Sequence, residues 1–305
     1  MSARDRSGGA QVGLTDGPAG VGSGAGVGSG AGVGSGSGAG GVAAEPTAAG
    51  PAGPSSADAD PGPSSTDALA RVGNADWARV AADLDDVGCA SLGGVLSEAE
   101  CGWVSGLYDH VGRFRSTIDM ARYRFGSGQY RYFDYPLPPL VADLRAECYR
   151  RLLPVARDWA ARLTRPAPWP DGLDEWLEMC HAGGQPRATP LLLRYGAGDW
   201  NALHRDLYGE LVFPLQVAIC LDEPGPPEHG GNHTGGEFML VEQRPRAQSK
   251  GTVRALRRGE GLVFTTRDRP VRSARGWSAA PVRHGVSELR TGTRHTLGLV
   301  LHDAT

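Results

Sequence analysis

A change of sequence pattern near residue 189 constrains the fold more than any other feature. Before it, apolar residues recur at helical spacing; after it, short apolar runs alternate with clusters of Gly, Pro and polar residues. The candidate strands cover residues 190–195, 212–221, 237–243, 261–266, 281–286 and 294–302. Many short strands at close spacing predict a jelly-roll barrel, which can hold a metal between its two sheets.

Helices are expected before this change. The helical patterns cover residues 77–87, 97–111, 139–163 and 173–181. Asn74 is a good N-cap for the first of them, and Ser97 with Glu100 forms the capping-box pattern of the second. Pro154 is expected to kink or split the third helix. Helices packed outside one sheet make the predicted fold class α+β.

The first 66 residues differ in composition from the rest of the chain. They consist mostly of Gly, Ala, Ser and Pro, and the block VGSGAG beginning at Val21 repeats with little change. So few apolar residues cannot form a core, which predicts a flexible tail over residues 1–66. Residues 67–305 then form the folded domain, with a helical support over 67–188 and the jelly-roll core over 189–305.

Charge, lysine content and cysteine content exclude several classes of function. The first 66 residues contain two arginines and five acidic residues. The rest of the chain therefore has 29 basic and 29 acidic residues, so no overall electrostatic field attracts nucleic acid. Lys250 is the only lysine and does not lie in a P-loop. The segment His204-Arg-Asp-Leu207 imitates a kinase catalytic loop, but Leu211 stands where a kinase needs Asn.

The compartment is also constrained. Five scattered cysteines without a CxxC pair argue against a disulfide framework and against a structural zinc site. The sequence contains neither an apolar signal-peptide core nor a stretch long enough to span a membrane. A cytoplasmic location without membrane association is therefore expected.

His204 and Asp206 carry the most specific chemical signal. Side chains at positions i and i+2 point to the same side of a strand, so a His and an Asp placed in this way can bind one metal ion. His284 on a neighbouring strand would complete a 2-His-1-carboxylate triad, which favours non-heme Fe(II) and leaves positions open for oxygen chemistry. Arg294 could then hold a carboxylate cosubstrate bidentately.

Other histidines compete with His284 for the third position, namely His233, His295 and His302. The run from His284 to Arg294 allows a strand, a glycine turn and a return strand that would bring Arg294 back beside the metal. His295 would face the other way from Arg294 on an extended strand. His229 and His233 have the spacing of a helical zinc pair, but two intervening glycines disfavour a helix, and a mobile loop is expected.

A segment between residues 113 and 133 interleaves arginines with aromatic residues. Such a mixture suits phosphate contact combined with base stacking. It is more often typical of a half-buried strand pair whose aromatic rings pack while the arginines are solvated. Both interpretations are open at the level of sequence.

Four segments together resemble the Fe(II)/2-oxoglutarate-dependent dioxygenases, and in particular a bacterial branch predicted to oxidise damaged nucleic acid, related to AlkB-like demethylases and prolyl hydroxylases. The segments are GQYRYFDYPLPPL at 128–140, TPLLLRYGAGDWNALHRDLYGELVFPLQVAI at 189–219, GGEFMLVEQRPRAQS at 235–249 and RHGVSELRTGTRHTLGLVLHDA at 283–304. The tail and the loop around residues 225–233 depart from the family pattern.

The resemblance implies a double-stranded β-helix core and specific roles for residues. His204, Asp206 and His284 would bind Fe²⁺, Arg294 would bind the distal carboxylate of 2-oxoglutarate, and Tyr195 would also contact this cosubstrate. The implied activity is O₂-dependent hydroxylation with release of succinate and CO₂, leading to oxidative demethylation of alkylated bases in DNA or RNA. The alternatives are hydroxylation of a prolyl residue, amino acid or small metabolite, and a cupin-like binding module without catalysis.

Overall fold

The computed structural model describes residues 62–123, 125–243 and 248–305. The predicted flexible tail lies outside the described residues as far as residue 61, and Thr66 begins the first helix. The helices are α1 (Thr66–Gly73), α2 (Trp77–Val87), α3 (Glu98–Gly106), α4 (Pro139–Arg162) and α5 (Leu173–Ala182).

The helix starts follow capping chemistry. The capping box of Ser97 and Glu100 is present at the start of α3, as predicted. The predicted cap of α2 is wrong: Asp76 accepts a hydrogen bond from the backbone N–H of Arg79, whereas Asn74 ends α1. A carboxylate directly before the first turn is better placed to satisfy its free N–H groups. Pro154 lies inside α4 without splitting it.

The strands form two antiparallel sheets. They are β1 (Cys89–Gly94), β2 (Phe114–Asp119), β3 (Gly126–Ser127), β4 (Gln129–Phe133), β5 (Leu191–Gly196), β6 (Trp200–His204), β7 (Leu215–Cys220), β8 (His233–Gly235), β9 (Phe238–Glu242), β10 (Lys250–Arg254), β11 (Glu260–Thr265), β12 (Asp268–Ser273), β13 (Gly276–Val286) and β14 (Leu289–Val300).

The larger sheet has the order β1-β11-β7-β14-β5-β4-β2, with β8 also paired to β14. The smaller sheet has the order β10-β9-β13-β6-β3, with β12 paired to β13. The region expected to be mainly helical therefore contributes β1 to β4. Strand β1 pairs with β11 and β3 pairs with β6, so local periodicity alone does not reveal these two strands. Strand β2 pairs with β4, within the segment for which a strand pair was one of the two interpretations.

The two sheets pack face to face as a jelly roll, and helices cover the outside of the larger one. One apolar cluster joins Phe264 of the larger sheet to Phe238, Leu240 and Val282 of the smaller sheet. A second cluster joins the helices to the other face of the larger sheet through β7 and β14. The predicted α+β class with a jelly-roll core and supporting helices is confirmed.

The connection from β13 to β14 is not the hairpin that the sequence predicted. These strands belong to different sheets: β13 pairs with β6 and β9, whereas β14 pairs with β5 and β7. Gly292, the expected turn residue, lies within β14. The chain crosses between the sheets at Ser287 and Glu288, so Arg294 faces the interior from the sheet opposite His284.

All five cysteines are buried and unpaired. Within the described residues, the helices are too short or too polar to cross a membrane.

Candidate metal centre

His204 and Asp206 lie at the end of β6. The strand ends at His204, and Asp206 follows two residues later, outside the strand. Their side chains meet, with 3.4 Å between His204 Nε2 and Asp206 Oδ1. The i, i+2 relationship therefore persists beyond the end of the strand.

His284 completes the group from β13. It lies opposite His204 in the β6–β13 pair, and its Nε2 is 3.1 Å from Asp206 Oδ2. One potential ligand atom from each of the three residues lies within 4.8 Å of the other two. Two imidazoles and a carboxylate thus converge on one point between the sheets.

Neighbouring groups orient both imidazoles. His204 Nδ1 is 2.7 Å from the backbone carbonyl of Ala202, so it donates a hydrogen bond and leaves Nε2 as the free lone pair. The ring of His284 lies against Phe264, with 4.7 Å between ring centroids, and stacks on Phe238 at 6.0 Å. These contacts fix the direction of the donor nitrogens.

The charges also suit a cation. Burial raises the pKa of Asp206, but His284 and His204 outweigh this effect and hold the pKa well below its usual range. Burial lowers the pKa of His284, and Asp206 offsets this only in part. At neutral pH the centre therefore presents a carboxylate and at least one neutral imidazole, which are the forms that bind metals.

This donor set fits Fe(II). Nitrogen and carboxylate oxygen on one side of an ion leave the opposite positions open, which is the pattern of oxygen-activating iron sites. A structural zinc site with four protein ligands would need a fourth donor, and within the described residues the cluster contains three.

A cavity of about 210 Å³ opens beside the triad. Arg294 and Tyr195 line it, and the Arg294 guanidinium carbon is 5.8 Å from the centre of the Tyr195 ring. Arg294 is 3% exposed, and its Nη1 has no hydrogen-bond partner among the described residues. A buried cation with an unused donor is suited to an anionic ligand such as a carboxylate.

A family model matches more than half of the chain, over residues 128–304, and its description reads "Oxygenase, catalysing oxidative methylation of damaged DNA". The chain belongs to this family. It is therefore an oxygenase.

Relatives of this oxygenase occur in Mycobacterium tuberculosis. Two proteins called uncharacterized, from strains CDC 1551 and H37Rv, are each 60% identical over 172 residues, covering 56% of this chain and 72% of theirs.

Two solved structures are also similar to this oxygenase. A Pseudomonas putida prolyl-4-hydroxylase has 15% identity and a TM-score of 0.44, with coverage of 73% of this chain and 96% of its own. An oxidoreductase of the 2OG-Fe(II) oxygenase family from Burkholderia pseudomallei has 16% identity and a TM-score of 0.45, with coverage of 76% and 93%.

The competing histidines of the oxygenase lie outside the triad. His295 Nδ1 is 2.9 Å from Asp222 Oδ2, and His302 accepts a hydrogen bond from the backbone N–H of Phe213. The sequence predicted a mobile loop for His233, and this prediction is wrong: His233 is buried on β8. Its pairing opposite Gly292 of β14 holds it in place.

Residues 113–133, the arginine-rich segment, include a pair of strands, which was one of the two structures considered from the sequence. Strands β2 and β4 pair, and their arginines contact rings of the protein itself. The guanidinium of Arg115 lies 4.4 Å from the centre of the Tyr132 ring, and that of Arg131 lies 4.3 Å from the centre of the Tyr108 ring. These two arginines are not simply solvated. Arg124 of this segment lies outside the described residues.

Sequence reasoning missed further polar residues at the cavity, including Asn201, Tyr208, Gln216 and Thr296. The side chains of Gln216 and Thr296 are buried and have a polar atom without a partner among the described residues. Tyr208 continues the alternation of His204 and Asp206, so its position could have been inferred from the sequence. For Gln216, the only signal is a polar residue within an apolar strand.

Proposed function

We propose that this oxygenase holds Fe(II) with His204, Asp206 and His284, and binds the distal carboxylate of 2-oxoglutarate with Arg294. The observation that carries this assignment is the meeting of three metal-binding side chains and a buried arginine at one cavity. Tyr195 forms part of the cosubstrate wall. Burial raises the pKa of Tyr195 to about 12, so its hydroxyl stays protonated and can donate a hydrogen bond.

Each residue has a physical task in the reaction. When bound, iron with 2-oxoglutarate and O₂ supplies the oxidising power that hydroxylates a C–H bond, with release of succinate and CO₂. Asp206 balances part of the metal's charge, and Arg294 balances a carboxylate of the cosubstrate. Apolar side chains along the cavity, including Leu193, Phe238 and Val286, keep water away from the reacting groups.

We further propose alkylated bases of DNA or RNA as the substrate. Hydroxylation of an N-methyl group gives a product that releases formaldehyde and restores the base. The description of the matching family supports this substrate class. Within the arginine-rich segment, Phe125 lines the cavity and is 47% exposed, and the side chain of Arg122 is 80% exposed. These two residues are where stacking and phosphate contact would take place.

The test is incubation of the iron-loaded enzyme with 2-oxoglutarate and an N-methylated oligonucleotide, followed by formaldehyde and succinate assays. Formaldehyde above the level given by an unmethylated oligonucleotide supports the proposal. Proline peptides and free amino acids are assayed in parallel, because the folded chain has no excess of positive charge. Succinate release with those substrates alone would favour a hydroxylase, and no succinate with any substrate would favour a binding module.

Two further expectations remain part of the proposal. Residues 67–305 form the oxygenase domain, which is supported by the family match over residues 128–304. The protein acts in the cytoplasm, where its five unpaired cysteines would stay reduced.

A further inference from the structure

Tyr208 makes a direct contact with the candidate metal centre. Its hydroxyl donates a hydrogen bond of 2.7 Å to Asp206 Oδ1. It follows His204 and Asp206 at the same two-residue step, and all three side chains line the cavity. A phenol that donates to a carboxylate makes a charge-assisted hydrogen bond, which is stronger than one between neutral groups.

The surroundings of Tyr208 hold its ring in place. The ring meets Tyr132 edge-on, with 6.1 Å between ring centroids, and lies 6.2 Å from His302. The backbone carbonyl of Tyr208 accepts a hydrogen bond of 3.0 Å from the N–H of Thr305. The hydroxyl is thus positioned by packing on both sides, and it approaches Asp206 from a fixed direction.

The two oxygens of Asp206 have different environments. Oδ1 receives the hydrogen bond from Tyr208, and its distance to His204 Nε2 is the longer 3.4 Å. Oδ2 faces His284 Nε2 at 3.1 Å. Oδ1 is therefore engaged by the Tyr208 hydroxyl, whereas Oδ2 lies beside His284 Nε2, the nitrogen that would bind the same metal.

We propose that Tyr208 is a positioning residue of the metal centre, whose hydroxyl engages Oδ1 of Asp206 so that Asp206 binds the metal through Oδ2 alone. The proposal rests on the metal site of the proposed function. Its consequence is chemical: a carboxylate that binds through both oxygens would take one more coordination position. Holding Asp206 to a single oxygen keeps three positions open for 2-oxoglutarate and O₂.

The experiment compares Tyr208→Phe with Tyr135→Phe in the full chain. Tyr135 is a matched control, because its hydroxyl donates a 2.8 Å hydrogen bond to Asp303, a carboxylate away from the metal centre. Fe(II) binding is measured anaerobically by titration calorimetry without cosubstrate, and Co(II) absorption spectra report the coordination. We expect Tyr208→Phe to weaken Fe(II) binding roughly 10–100-fold and to change the Co(II) spectrum. Tyr135→Phe should leave both unchanged.

The outcomes separate this proposal from the proposed function. If the wild-type protein binds no Fe(II), the metal site itself is wrong. If wild type and Tyr208→Phe bind equally, only the role of Tyr208 is wrong, and an equal loss in both variants would show a general packing effect and overturn it as well. Should Tyr208→Phe fail to fold, 4-fluorophenylalanine at position 208 fills the same space without a donor and is judged by the same criteria.

Discussion

His284 lies directly opposite His204 across the β6–β13 strand pair, with 4.3 Å between the centroids of their rings. Asp206 reaches the same point from beyond the end of β6. The two imidazoles are thus held by backbone hydrogen bonds between strands, which fixes their relative position before any metal arrives. A site built on strands in this way is more precise than one built on loops alone.

Asp206→Ala should abolish both Fe(II) binding and turnover, because it removes the anionic ligand. The loss of affinity should exceed the roughly 10–100-fold effect of losing an outer contact. Calorimetry and succinate release measure the two effects. Asp222→Ala is the control. It also removes an aspartate that contacts a histidine, because Asp222 Oδ2 is 2.9 Å from His295 Nδ1, but this pair lies outside the triad. Equal Fe(II) affinity in wild type and Asp206→Ala would refute the ligand assignment.

Arg294→Ala should raise the concentration of 2-oxoglutarate needed for turnover while Fe(II) still binds. A hydrogen bond to a charged group contributes about 1.5–3 kcal/mol, which corresponds to roughly 10–100-fold in affinity. Arg290→Ala is the matched control, because the Arg290 side chain is 69% exposed and pairs with Glu237 at 3.3 Å. Initial rates over a range of 2-oxoglutarate concentrations give the answer. An equal shift in both variants would mean that Arg294 has no special role.

Gly236→Ala should weaken 2-oxoglutarate binding through Arg294. Gly236 has φ +72°, and an added Cβ would lie 2.7 Å from Leu289 Cδ1 and 3.0 Å from Arg294 Cδ. Gly93→Ala is matched in backbone strain, since Gly93 also has φ +72° but nothing lies within 4 Å of its added Cβ. Both variants should lose about 1–2 kcal/mol of stability. Only Gly236→Ala should bind 2-oxoglutarate more weakly, and normal binding by this variant would contradict the prediction.

The free energy of unfolding should fall as the pH drops from 6.5 toward 4. Burial, with a further effect of Arg145, lowers the pKa of His302 from 6.5 to about 4. The fold therefore favours the neutral ring. The neutral His302 ring contributes about 3 kcal/mol to the free energy of unfolding. This contribution is complete above the pKa of the unfolded chain and is lost as the pH falls through the pKa of the folded protein. His302→Asn keeps an acceptor for the N–H of Phe213 but cannot titrate. Urea unfolding at several pH values should show a shallower decline in this variant, and identical declines would rule His302 out.

Local chemistry was sufficient to predict part of the fold from the sequence. The start of α3 follows from the side chains of Ser97 and Glu100, which satisfy backbone groups a few residues away. Strands β5, β13 and β14, which carry Tyr195, His284 and Arg294, follow from short apolar runs between Gly and Pro clusters, whereas β6, which carries His204, is not among the predicted strands. Strand β1 was not predicted, because its partner β11 lies far along the chain, whereas the β2–β4 pair was one of two interpretations of the arginine-rich segment.

By itself, the sequence determined which donor groups are available and which pairs point the same way. His204 and Asp206 have a same-side relationship that belongs to an extended backbone, whatever the rest of the fold. Only the tertiary structure decided that β13 and β14 enter different sheets, so that Arg294 meets the cavity from the sheet opposite His284. It also placed His284 opposite His204 across the β6–β13 pair. Such contacts depend on strand order and packing between sheets, which residue spacing does not encode.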